Sequence, residues 1–85
     1  IIIMADRFTI TKTKRWGNAD TQISNIYSAN RREIRRDDVI KMANDLMTKE
    51  EVYTNEVVEY EVILSHDNGM SEFIHRVEKG GKKSI

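Results

Sequence analysis

Asn68-Gly69 stands between two runs that alternate apolar with polar residues: Val58, Tyr60, Val62 and Leu64 before it, Phe73, His75 and Val77 after it. A period of two is strand geometry, and Asn-Gly is the dipeptide that most favours the tight type I′ turn between antiparallel strands. With Asn68 and Gly69 at the turn centre, Asp67 faces Met70, and the register then sets Leu64 opposite Phe73, Val62 opposite His75 and Tyr60 opposite Val77. On the reverse face the same register sets Ile63 against Ile74 and Glu61 against Arg76, with Glu59 against Glu78 as the one like-charge misfit. The segment Glu56–Val77 is therefore expected to be an antiparallel hairpin with one apolar face.

The segment Asp37–Lys49 is expected to cover that face. At 100° per residue Val39, Ile40, Met42, Ala43, Leu46 and Met47 fall within an arc of about 160°, and Lys41, Asn44, Asp45 and Thr48 point away. Asp37 is placed to cap the free amides at the helix start, and Asp38 suits the positive end of the helix dipole. Glu50 would land on the apolar side, so the helix should end there.

Upstream, Arg7–Trp16 alternates with Phe8 and Ile10 on one face and Thr9, Thr11 and Thr13 on the other, and Gly17-Asn18 signals a turn. Thr21–Tyr27 suits a strand and also a helical stripe, and we read it as the strand closing a first hairpin. The expectation is a small α+β domain of ββαββ type, an antiparallel sheet with one helix on one face. Its Val39/Ala43/Leu46/Met47 stripe packs on Tyr60, Val62, Leu64 and Phe73. The domain spans residues 4–78, followed by a basic tail at 79–85. Met4-Ala5-Asp6-Arg7 resembles a translation start, so Ile1–Ile3 read as an appended remnant. The apolar opening of five residues is too short for a signal-peptide core or a membrane span.

Eighty-five residues without cysteine, and with His66 and His75 as the only histidines, leave a thin stability margin and no disulfide to widen it. Oligomerisation is the remaining common device, so a homodimer is expected. Val57, Ile63 and Ile74 on the face away from the helix are its candidate contact. Absence of cysteine fits a reducing cytoplasm.

The charges cancel overall yet are sorted along the chain: eight basic against three acidic residues through Arg36, two against ten from Asp37 to Ile74, and four against one thereafter. Sorted charge makes local fields that attract charged partners. Two basic groups stand out as candidate binding residues. Lys12, Lys14 and Arg15 precede Trp16, a combination suited to stacking unpaired bases beside a neutralised backbone. Arg31, Arg32, Arg35 and Arg36 surround Glu33-Ile34, and their planar forks suit phosphates and carboxylates alike. The acidic residues Glu50, Glu51, Glu56, Glu59 and Glu61 are expected to face the basic segments.

No catalytic, metal or cofactor site is expected. His75 should pack at the core edge with one hydrogen bond, adjacent Ser65-His66-Asp67 point to alternate faces and form no triad, and no glycine spacing fits a nucleotide-binding loop. In size, charge content and lack of signature motifs the chain is similar to small accessory proteins of bacteriophages, many of which inhibit a host factor by binding it. That likeness implies a cytoplasmic interaction protein, in the host cytoplasm if phage-encoded. The leading expectation is a non-enzymatic protein that binds and regulates or inhibits a macromolecular partner. The alternative is an RNA or single-stranded nucleic-acid binder using the Lys12–Trp16 and Arg31–Arg36 segments.

Overall fold

The structure, a computed structural model, describes residues 6–17 and 20–80. Its elements run β1 (Arg7–Trp16), β2 (Thr21–Asn30), α1 (Arg36–Thr48), β3 (Glu56–Ser65) and β4 (Ser71–Gly80). The four strands form one antiparallel sheet in the order β2-β1-β3-β4, with α1 packed on β3, β4 and β1. The expected α+β class with two hairpins flanking one helix is what forms. The first hairpin is closed by a strand three residues longer than Thr21–Tyr27, and β4 continues through Lys79 and Gly80. The Met4 start, Asn18 of the first turn and the end of the basic tail lie outside the described residues.

The two hairpins meet along β1 and β3, whose pairing is unbroken from Arg7↔Ser65 to Trp16↔Glu56. Alternation then sends Phe8, Ile10, Val58, Tyr60, Val62 and Leu64 to the helix side, where all six are buried. Val39, Ala43 and Met47 of α1 close over them. Met42 and Leu46 pack at the margin, as the helical stripe requires. His75 lies opposite Val62, with its Nε2 3.0 Å from Asn44 Oδ1 of α1, so it packs at the core edge with one hydrogen bond.

Near its turn the second hairpin departs from the expected register. Gly69 has φ +86°, whereas Asn68 is not in the positive-φ region that a type I′ turn demands of both central residues. His66 N–H donates to the Met70 carbonyl (2.8 Å) and Gly69 N–H to the His66 carbonyl (3.1 Å), which makes a three-residue loop, Asp67 to Gly69. The Asn68 side chain is free to accept from Met70 N–H at 3.0 Å. Leu64 consequently pairs with Glu72 and Ile63 with Phe73. A bulge between Val62 and Ile63 of the ladder leaves Ile74 unpaired and restores the expected register from Val62↔His75 to Glu59↔Glu78.

Two expectations are thereby corrected. Phe73 is turned away from the helix and is 60% exposed, and Ile74 packs against the core instead of projecting from the far face. The Asp37 cap is corrected too: the N-cap position is Arg35, with no side-chain hydrogen bond, and Asp37 and Asp38 both lie in the first helical turn. Ion pairing on the far face also differs from simple register. Arg76, opposite Glu61, pairs diagonally with Glu59 at 2.8 Å, and Glu78 is held by Arg15 at 3.3 Å, so the Glu59/Glu78 misfit is relieved by neighbouring arginines.

Two substitutions test this register. Gly69→Ala forces a side chain into left-handed backbone and costs about 1–2 kcal/mol in urea unfolding, whereas Asn68→Ala loses one exposed hydrogen bond and costs less than about 1 kcal/mol. Equal large losses would restore the type I′ turn. Ile10→Ala, at the fully buried junction of β1 and β3, costs about 2–5 kcal/mol.

Candidate functional site

The two basic groups occupy opposite ends of β1. Nine residues separate Arg7, beside the Asn30–Arg36 connection, from Trp16, a distance of about 30 Å in an extended strand. They have opposite electrostatic fates.

At the Trp16 end the cations are taken up by the chain itself. A 13-residue helix is about 20 Å long and a ten-residue strand about 33 Å, so α1 leaves the end of the sheet to the segment after it. Glu50 there accepts from Lys12 Nζ (2.9 Å) and from the Tyr60 hydroxyl (2.7 Å), and its carbonyl accepts from Lys79 Nζ (3.1 Å). Burial opposes ionisation of Glu50, but the bonds from Lys12 and Tyr60, with the charges of Lys12 and Lys14, outweigh it and hold its carboxyl below the ordinary range. The Tyr60 hydroxyl is pushed well up, by burial first and then by the Glu50 carboxylate.

Glu56, nearly inaccessible, receives Lys14 Nζ at 2.9 Å, Tyr53 N–H at 3.1 Å and the Trp16 side chain. Lys14 foremost, against the opposing effect of burial, lowers the Glu56 carboxyl, and the same contact raises the Lys14 ammonium. Lys12 and Lys14 also lie over the Tyr60 and Trp16 rings, 5.9 and 5.5 Å from the centroids. Trp16 itself is half-buried, and Arg15 points to the far face onto Glu78. Of the acidic residues expected to face the basic segments, Glu50, Glu56 and Glu59 pair with Lys12, Lys14 and Arg76, whereas among the described residues Glu51 and Glu61 form no ion pair.

At the other end the connection from β2 to α1 is pinned at three points. Arg31 N–H donates to the Asp6 carbonyl (2.8 Å), Arg32 N–H to Asn30 Oδ1 (3.0 Å) and Glu33 N–H to the Asn30 carbonyl (2.9 Å). Ile34 is the one residue of the connection turned inward, against the core. Its flanking arginines are thereby held outward. Arg31 reaches Asp6 Oδ2 at 3.2 Å, and His66 Nδ1 lies 3.0 Å from the same oxygen. Burial works against ionisation of Asp6, and the bonds from His66 and Arg31 reverse the effect and lower it.

Among the described residues, Arg32, Arg35 and Arg36 meet no carboxylate within ion-pair distance, and all three are exposed. They border a cleft of about 570 Å³ whose apolar floor is Phe8, Ile34, Leu64 and Ile74. Glu33, Asp38 and Glu72 complete the rim. A wall of guanidinium forks over an apolar floor can hold a carboxylate bidentately while burying an adjoining apolar side chain.

The basic residues named from sequence thus separate into Lys12, Lys14, Arg15 and Trp16, engaged within the fold, and Arg31, Arg32, Arg35 and Arg36 around the cleft. Sequence patterning missed the floor, because Phe8, Leu64 and Ile74 come from three strands. Ile34, a lone apolar residue between arginine pairs, was the one local sign of an anchor. Among the described residues no group of three or more histidine, aspartate or glutamate side chains is placed to hold a metal ion, and no helix is long and apolar enough to cross a membrane. Compared with protein-family models, curated proteins and solved structures, the chain matches none.

The ion pairs predict an asymmetric pH response. The Asp6, Glu50 and Glu56 carboxyls are lowered on folding, so their contribution is complete above their ordinary values of 3.8, 4.5 and 4.5 and is lost as pH falls through the lowered ones. Lys14 is raised, so its contribution is complete below 10.5 and lost as pH climbs through the raised value. The urea midpoint should be level between about pH 6 and 9, falling below about pH 5 and above about pH 10. Glu56→Gln should lower it at neutral pH and flatten the acid limb.

Proposed function

We propose that this chain is a non-enzymatic binding domain that regulates or inhibits a protein partner by gripping an acidic segment of it in the Arg31–Arg36 cleft. The observation that carries the reading is the set of three exposed arginines that form no ion pair among the described residues, around an apolar floor. Arg is favoured at interfaces because its fork pairs bidentately and its loss is costly. A second feature supports the site. Arg35 at the N-cap and Arg36 in the first turn place cations beside the positive end of α1, where Ser, Thr, Asp or Asn would stabilise the helix. Residues that oppose local stability in this way are expected where function selects them.

The ligand chemistry favoured is a carboxylate adjoining an apolar side chain. Glu33, Asp37, Asp38 and Glu72 stand among or beside the arginines, so a uniformly charged phosphate backbone would meet repulsion along its path. A localised carboxylate would not. The nucleic-acid alternative also calls on Lys12, Lys14 and Trp16, whose cations and ring are committed to Glu50 and Glu56 about 16 to 30 Å along β1 from Arg7. An acidic segment captured in the cleft is withheld from its other contacts, which is how a domain without chemistry of its own regulates a partner.

Fluorescence anisotropy with peptides carrying Phe or Leu between acidic residues tests this, with mixed-sequence RNA as the comparison probe. The peptide should bind, and Arg32→Glu/Arg35→Glu should weaken it by at least about tenfold without lowering the unfolding midpoint, since the acidic replacement at the N-cap suits the positive end of α1. Replacing the peptide's apolar residue with Ser should also weaken binding. Salt-sensitive binding of RNA with no binding of peptide would replace this reading with the nucleic-acid one.

A further inference from the structure

Among the described residues nothing packs on the sheet face opposite α1, and we infer that it packs against the same face of a second copy of this chain, making a homodimer of two sheets sandwiched between two outer helices. This surface is separate from the arginine cleft. Ile23, Val57, Ile63 and Phe73 project from it, with Thr9, Thr11 and Thr13 of β1 between them. Ile23 and Phe73 are 67% and 60% exposed, values that a solvated sheet face would assign to polar residues.

Phe73 reaches this face only because the three-residue turn shifts the hairpin by one and the Ile74 bulge shifts it back. Bulges interrupt a ladder and persist where they re-aim a side chain. Here the re-aimed side chain is an aromatic one turned out of the core, which is unfavourable unless something covers it.

Charge balance identifies the cover. The face carries Arg7, Arg15 and Arg76 against Glu59, Glu61 and Glu78, three of each sign. Four of the six are already joined in one chain, Arg15–Glu78–Arg76–Glu59, with contacts of 3.3, 3.7 and 2.8 Å. A neutral face with its charges matched internally has no field with which to attract a strongly charged partner, and it does not repel its own copy. Its size also fits. Four ten-residue strands cover roughly 33 by 19 Å, about 600 Å² in projection per copy, so two faces reach the lower bound of about 1,200 Å² for stable interfaces.

Sedimentation equilibrium of the full chain over low to high micromolar concentration tests the inference. The expected mass is twice 9.9 kDa at the upper end. Thr11→Lys, at the centre of the face and away from both sheet edges, should weaken association at least about tenfold while circular dichroism and the dilute unfolding midpoint stay as in the parent. Phe73→Ser repeats the test at the corner should Thr11→Lys fail to fold. A parent chain of 9.9 kDa throughout overturns the inference and leaves the face to solvent or to a different protein. A dimer that survives both substitutions overturns it in favour of pairing through the β2 or β4 edge. Arg32→Glu/Arg35→Glu should leave the mass unchanged, so failure of the dimer and failure of the cleft reading are read independently.

Discussion

Burial at the seam of β1 and β3 under α1 is the contact on which every other feature rests. Ile10, Val58, Val62 and Val39 are wholly inaccessible there, and they come from both hairpins and from the helix between them. Neither hairpin alone has a stable reason to fold, since a two-stranded ribbon is marginal in water. Once the seam is closed, the ends of β1 and β3 are fixed, and with them the positions of everything charged. Trp16 is set opposite Glu56 and Lys12 opposite Tyr60 at one end, and Arg7 opposite Ser65 at the other.

The seam therefore sorts the cations into two populations. At the Trp16 end the helix is too short to cover the strands, and Glu50 and Glu56 pair with the half-buried Lys12 and Lys14. Those pairs seal a core margin, and their carboxylates are held in the charged form by the lysines they serve. At the opposite end the chain must cross from the edge strand β2 to the start of α1. Ile34 ties that crossing to the core, and among the described residues no acid comes within ion-pair distance of Arg32, Arg35 or Arg36. The same residue type is structural at one end of a strand and available at the other.

Much of the backbone was legible from residues alone. Alternation through Val58–Leu64 and Arg7–Trp16 identified the central strands, the Val39/Ala43/Met47 spacing identified the helix, and Glu50 ended it. These are local signals, set by the periods of two and 3.6. The turn at Asn68-Gly69 was located correctly and typed wrongly, because Asn-Gly suits two loop lengths. The choice between them depends on Ile74 filling the core above Leu64, which no local pattern reveals. The candidate site was half legible. Its arginines are conspicuous in sequence, but the floor beneath them draws on Phe8, Leu64 and Ile74, residues far apart in the chain.

By itself the sequence determined β1, β3, β4 and the helix, because side-chain direction along a regular backbone follows from residue spacing, whereas the spacing of Thr21–Tyr27 suited a strand and a helix alike. Only the tertiary structure decided which cations stay free, where Phe73 points and what lies under the arginines. Each of those outcomes depends on whether a partner from a distant segment comes within a few ångströms, and that is a property of strand order and register.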